Sequence, residues 1–433
     1  MTLLVISPDY ASHLLPLATL ATAWRDRGER VVVATGEATA SIVASFGFER
    51  VELRLGRGSN PGTIRAEEQP EEEDDSLRGF FEATRRGMVP TLAYQAQERL
   101  TDLMWQPVET ARAVQDVVHF VGADAILVDH LAFSARLALD AARVPYADVV
   151  LGHPSALPVG DELYGFPPEW PDAFAPDPQQ LAELRALCAR VSVNFTAEWN
   201  SALAELDPLA SPSADAFAGH GPLLLFNYPR ELADPERERM LPPHAFLGSA
   251  VRGEAPDPEV DAWLAATGDV PFVYLSFGSF LSVRDDVLAR VCAAIRAVGL
   301  RAAVAVGSAD RADLGELPGD WLVREFLPQV TLLGRAALAV THGGNNSVTE
   351  AVTAGVPMLV LPFSTDQFAG ARAVQRAGVG EVLDPNGATV EQLEATLRQL
   401  VSADRTRSQT LAASLQETPG RERAFAALSS STS

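Results

Sequence analysis

ALAVTHGGNNSVTE, residues 337–350, carries the change of pattern on which the fold turns. Ala337 to Thr341 form a short apolar run, as in a strand buried on both faces. His342, Gly343 and Gly344 interrupt it, and the pattern predicts a helix starting near Ser347. Glycines between a strand and a helix N-terminus let a ligand approach the backbone. The N–H groups and positive dipole end there favour an anion, most naturally a phosphate. His342 adds a donor beside it. Ser347 and Glu350 also have the S-x-x-E spacing of a capping box. A cap does not occupy every N–H, so both readings can hold in part.

The same rhythm extends outward. Phe272 to Ser276 reads as a strand, followed by a helix with Val287, Val291, Ile295 and Val298 on one face and Gly299 at its end. Further strands are predicted at 302–306, 321–325 and 357–361, and Asp366 could cap the helix that ends at Gly378. The first fifty residues repeat the pattern: strand Leu3 to Ile6, a helix opened by Pro16 and closed by Gly28, then strand Val31 to Val33. Ala125 to Val128 make another buried strand, with a helix through Leu137 and Ala141. Parallel strands joined by helices require right-handed crossovers. The expectation is an α/β protein of two doubly wound halves, with a ligand between the carboxyl ends of their strands. The Pro-rich stretch 229–260 reads as the linker between domains 1–228 and 261–410. Residues 411–433 hold a last helix and a tail, SSSTS, expected to be disordered.

Composition supports this. At roughly 150 residues per domain, 433 residues make two or three domains. The formal charge of −23 argues against nucleic acid or an anionic membrane as the main partner. All 34 cations are Arg, which removes Schiff-base chemistry and a Lys-dependent phosphate loop. Cys188 and Cys292 stand far apart in apolar helical surroundings and suit a reducing compartment. MTLLVISPDY has no basic n-region, and no apolar run approaches the ~18 residues of a spanning helix, so a cytoplasmic protein is expected. Residues 56–76, with LGRGSNPG leading into AEEQPEEEDD, read as a solvated acidic loop or a lid. GRGSNP is no dinucleotide fingerprint, which weighs against a nicotinamide oxidoreductase.

His13 lies in the loop predicted after the first strand, three residues before Pro16. A neutral imidazole there suits the removal of a hydroxyl proton, or is a hydrogen-bonded loop histidine. Asp129 follows a strand and could be an N-cap; Asp124 and Asp148 are neighbouring carboxylates. His119, His130, His153, His220 and His244 show no metal-ligand spacing and read as structural or surface groups. No metal is expected.

FLPQ (326–329), THGGNNSVTE (341–350) and GVPMLVLPFSTDQ (355–367) together closely resemble the nucleotide-sugar box of family 1 glycosyltransferases, the UDP-glycosyltransferase superfamily with the GT-B fold. The HxxP of His13–Pro16, the LVD ending at Asp129 and SFGS (276–279) fall in family order, and the box looks most like that of bacterial natural-product enzymes. The resemblance implies two Rossmann-like domains facing each other, with the C-terminal helix crossing back to the first. It implies that Phe326 faces the base, Gln329 the base and ribose, and Glu350 the ribose hydroxyls. Gly278, Ser279, His342, Gly343, Gly344, Asn346 and Ser347 then serve the diphosphate, and Asp366 and Gln367 read the sugar. Asn345 departs from the family pattern, as does Ser12 before His13.

The resemblance further implies an inverting, metal-independent hexosyltransferase with His13 as base and Asp129 orienting it, needing no cofactor beyond a UDP- or dTDP-linked sugar. The acceptor, a small apolar natural product, is expected near Phe80, Phe81, Met88, Trp105, Phe166 and Trp170. The chain would act as monomer or homodimer. The alternatives are a nucleotide-sugar epimerase of the same fold and a non-catalytic sugar-nucleotide binder that partners another transferase.

Overall fold

Strands predicted from buried apolar runs assemble into two parallel sheets in the computed structural model, which describes residues 1–62, 71–99 and 104–431. The first sheet contains β1 (Thr2–Ile6), β2 (Arg30–Thr35), β3 (Glu49–Glu52), β4 (Ala125–Asp129), β5 (Ala147–Val150), β6 (Leu223–Phe226) and β7 (His244–Phe246). Their order is β3-β2-β1-β4-β5-β6-β7. The second contains β8 (Phe272–Ser276), β9 (Arg301–Ala305), β10 (Leu322–Arg324), β11 (Leu338–Thr341), β12 (Met358–Val360) and β13 (Gly380–Val382), in the order β10-β9-β8-β11-β12-β13. Helices cover both faces of each sheet. Leu3 and Val5 pack with Leu17, Leu20 and Trp24, whereas Leu4 and Ile6 face Leu92, Val114 and Leu137 on the other side. This period-two division explains why β1 is apolar from Leu3 to Ile6.

Register decides which loops meet. Ile6 pairs with Val128, so the segment after β1 lies beside the end of β4. Thr341 pairs with Ser276 on one side and Val360 on the other. That brings SFGS, His342 and the loop 361–366 to one carboxyl edge, at the strand-order reversal where ligands of such sheets bind.

Several expectations need correction. The first helix spans Ala11–Arg25, so Pro16 lies inside it and His13 stands on its first turn instead of in a loop. Within 229–260, the short run His244–Phe246 pairs with β6 as the last strand of the first sheet; three residues are too few to show periodicity. The helix after β11 begins at Asn345 with Gly344 as N-cap, so Ser347 and Glu350 form no capping box. Of the acidic stretch, residues 63–70 lie outside the described residues, and Glu71 opens the helix Glu71–Arg86. Glutamate is a good helix former, so a charge block need not be a loop. The last helix, Gly420–Ser431, takes in the first three residues of SSSTS; Thr432 and Ser433 lie outside the described residues. It packs on the first helix, with Phe425 edge-on to Trp24 at 5.1 Å and Arg421 bonded to Asp26 at 2.8 Å.

Candidate active site between the two sheets

A cavity of about 740 Å³ opens between the two carboxyl edges, lined by His13 and Asp129 from one side and by Gln329, His342, Ser347 and Asp366 from the other. His13 Nδ1 lies 2.6 Å from Asp129 Oδ2. A carboxylate can only accept there, so Nδ1 carries the proton and Nε2 keeps its lone pair. Asp129 Oδ1 accepts from Leu131 N at 2.9 Å, but the next helix has Ala132 as its N-cap, so Asp129 is no helix cap. Burial works against a charged His13, yet the Asp129 charge and hydrogen bond, with a smaller effect of Asp366, raise its pKa above the ordinary value. Asp124 accepts from Thr2 N, and Asp148 is buried against His130; neither meets His13.

The phosphate-type loop is built as its glycines suggest. Gly343 has φ 86°, the left-handed region, and turns the chain after β11. A Cβ on Gly344 would lie 2.4 Å from His342 Nε2, so only glycine lets the imidazole fold back over the loop. Gly278 flanks the same ring; a Cβ there would meet His342 Cε1 at 2.9 Å. Ser279 follows it in the short helix Gly278–Leu281. Burial pushes the His342 pKa down to about 4, so the ring is a neutral hydrogen-bonding group at pH 7. Gly344, Asn346 and Ser347 line the cavity at the start of the helix Asn345–Thr353, whose first-turn N–H groups have no partner within the helix.

At the far end, Phe326 is an exposed aromatic at the cavity wall, 64% accessible. Gln329 Oε1 accepts from Tyr274 Oη at 3.3 Å and from Ser347 Oγ at 3.4 Å. Glu350 is buried and does not line the cavity. Its Oε2 accepts from Gln329 Nε2 at 2.6 Å and its Oε1 from Arg252 Nη1 at 2.8 Å. Arg252 itself does line the cavity. It comes from the stretch read as linker, where nothing in the local sequence marks it.

The Asp366–Gln367 pair divides. Asp366 is the N-cap residue of the helix Gln367–Ala377, but its side chain makes no cap hydrogen bond. Oδ2 instead accepts from His153 N across the cleft at 2.7 Å. Gln367 lines the cavity but spends its amide on its own loop. Oε1 accepts from Phe363 N and Ser364 N at 3.0 and 3.2 Å, and Nε2 donates to Ser364 Oγ at 3.0 Å. Asn346 Nδ2 donates to Ser12 O at 2.9 Å, and Asn345 Nδ2 to Leu151 O and Asn227 O at 2.5 and 3.0 Å. Three residues of the second domain, Asn345, Asn346 and Asp366, are thus bonded to backbone of the first.

On the other side, Phe80 and Phe166 line the cavity, joined by Leu92, Leu131 and Tyr164. The remaining aromatic and Met candidates do not. Met88 is core, Trp170 packs against that core, Trp105 lies under Arg54, and Phe81 packs beside Phe80. Placement in the folded chain separates these groups, and no residue type could have. Among the described residues no group of three metal-ligating side chains occurs, and no helix is long and apolar enough to cross a membrane. Both cysteines are buried, their thiol pKa pushed up to about 11 and about 12.

Residues 289–422 match the family described as erythromycin biosynthesis protein CIII-like, C-terminal domain. Among curated relatives, the NDP-glycosyltransferase YjiC of Bacillus subtilis is 30% identical over 172 residues, which are 39% of this chain and 44% of that protein. Oleandomycin glycosyltransferase of Streptomyces antibioticus is 31% identical over 193 residues, 43% of each chain. These alignments span less than half of either relative. Solved structures match over nearly the whole length. The spinosyn forosaminyltransferase SpnP aligns with TM-score 0.69 and 18% identity, covering 99% of this chain and 98% of that one. The glycosyltransferase VinC in complex with dTDP gives 0.66 and 18%, with the same coverage. The fold is therefore GT-B, and the resemblance read from the sequence is matched by glycosyltransferase relatives.

Proposed function

We propose that the protein is an inverting glycosyltransferase that moves a hexose from a UDP- or dTDP-linked donor to a hydroxyl of a small apolar acceptor. The observation that carries this reading is the His13–Asp129 pair, which shares one cavity with His342 and the start of the helix Asn345–Thr353. A base with its Nε2 lone pair in the cavity suits an acceptor hydroxyl; a loop of N–H donors across from it suits a departing diphosphate.

In this mechanism His13 Nε2 takes the acceptor proton. The oxygen forms its bond to the anomeric carbon from the face opposite the diphosphate, and the carbon–oxygen bond to the diphosphate breaks with inversion. Asp129 stabilises the imidazolium that forms. The departing charge meets the helix N-terminus and the neutral His342 ring, which provide electrostatic stabilisation in a partly dry site. The reaction so written calls for no metal. Phe80, Phe166 and Tyr164 give the acceptor end apolar walls.

The test is mass-spectrometric detection of transfer from UDP-glucose and dTDP-glucose to mixed phenolic and polyketide acceptors, in EDTA, with wild type and His13→Ala side by side. A sugar adduct from wild type alone supports the mechanism. An undiminished adduct in His13→Ala overturns His13 as base, and failure to bind either nucleoside diphosphate overturns the donor site.

A further inference from the structure

Arg252 lies beside Gln329 and Glu350, where the family resemblance puts the nucleoside, yet neither its position in the chain nor that resemblance assigns it a role. Its Nη1 donates to Glu350 Oε1 at 2.8 Å and its Nη2 to Glu254 Oε1 at 2.9 Å. Glu254 is fixed in turn by the backbone of the helix Gln329–Leu333, accepting from Val330 N and Thr331 N at 3.2 and 2.8 Å. The guanidinium is thus held between two carboxylates, 16% accessible, at the cavity wall beside Tyr274, Gln329 and Ser347. Glu350, 4% accessible, lies behind it with one oxygen on Arg252 and the other on Gln329.

The consequence is a change of sign in what this end of the cavity offers. A carboxylate facing the ligand would accept from sugar hydroxyls, and a vicinal diol would satisfy it best. A guanidinium has only donors, five N–H groups of which these two bonds use two, and it seeks oxygen acceptors. We infer that Arg252 is a specificity-determining residue of the donor site: it closes Glu350 to the nucleoside sugar and offers N–H groups in its place, so recognition does not depend on a 2′-hydroxyl. The inference rests on the reading of this cavity as a nucleoside diphosphate site. The ligand class it assigns is pyrimidine nucleoside diphosphates with either sugar, ribose or 2′-deoxyribose.

Calorimetric titration with UDP and with 2′-deoxy-UDP isolates the one hydroxyl. The full-length wild type is expected to bind the two within about threefold of each other. Arg252→Met uncovers the Glu350 carboxylate and is expected to favour UDP by tenfold or more, and adding Glu350→Gln to that variant removes the preference. A wild type that already favours UDP tenfold overturns the inference, as does an Arg252→Met protein with an unchanged ratio. If Arg252→Met does not fold, the wild-type ratio alone still decides, because it needs only the native chain. If wild type binds neither nucleotide, the nucleotide reading itself falls and takes this inference with it, an outcome distinct from a wrong ratio.

Discussion

Asn346 Nδ2 donates to the Ser12 carbonyl at 2.9 Å, and that carbonyl is available because Pro16, four residues on in the same helix, has no N–H to give it. The proline therefore leaves an acceptor on the first turn of the helix, next to His13, and the loop of the second domain takes it. This ties the candidate base to the candidate diphosphate loop through one hydrogen bond. Removing it in Asn346→Ala is expected to cost ~1 kcal/mol, a drop in kcat/KM of several-fold to tenfold at low donor concentration. Pro16→Ala supplies a competing N–H and is expected to lower kcat/KM in the same direction while leaving the melting temperature unchanged or higher. Steady-state kinetics with thermal melts checks both.

His13 is active as a base only when neutral, and Asp129 together with Asp366 holds its pKa above the ordinary value of about 6.5. The rate of transfer is therefore expected to rise with pH along a limb whose midpoint lies above 6.5. Asp129→Asn removes the charge that raises it, so the midpoint moves to lower pH while the plateau falls by about 10²–10⁴-fold. A pH profile of kcat/KM for both proteins is the measurement; an unmoved midpoint would contradict the coupling.

Gly152 is what lets Asp366 reach the backbone of the first domain. A Cβ at residue 152 would lie 2.6 Å from Asp366 Oδ2, the oxygen that accepts from His153 N. Gly152→Ala is expected to displace Asp366, raise KM for the sugar donor and cost roughly 1–3 kcal/mol of stability by overpacking. Denaturant unfolding and donor KM together distinguish this from a distant effect on the base.

Acid should destabilise the fold through two histidines. Burial holds His342 at about 4 and His153 at about 3. Both fold neutral, whereas in the unfolded chain each takes up a proton below about 6.5. Between pH 6.5 and 4 the unfolded state therefore binds more protons, and stability falls as pH falls, by at most ~1.4 kcal/mol per pH unit for each group. His13 acts oppositely: its raised pKa adds stability that is present below 6.5 and lost as pH rises through its folded value. Urea unfolding at pH 7 and pH 5 should show the net loss, and His342→Gln should flatten it.

The fold was legible because its signals are local. Phe272–Ser276 and the helix ending at Gly299 follow from apolar runs, 3.6-residue periodicity and a left-handed glycine cap. Where the structure departs from these signals, a second sequence pattern competes with them. Pro16 looked like a helix start, yet the helix tolerates it five residues inside, because the freed Ser12 carbonyl finds its partner in the other domain. The strand His244–Phe246 was hidden in a Pro-rich stretch, since edge pairing, and not its own length, makes it a strand.

The two parallel sheets and the glycine turn after β11 follow from local sequence, since they depend on backbone preference and side-chain period, and the residue types at the candidate site come with them. How those side chains are spent depends on contacts between distant parts of the chain. His13 chooses Asp129 over Asp124 or Asp148 because β1 lies beside β4 in that register. Gln367 turns to its own loop, Asp366 and Asn346 to the other domain, and Arg252 replaces Glu350 at the cavity wall. Hydrogen-bond partners are a property of distance in space: residues 12 and 346 meet only when the two domains are docked, and 252 and 350 only when the connecting stretch lies against the second domain.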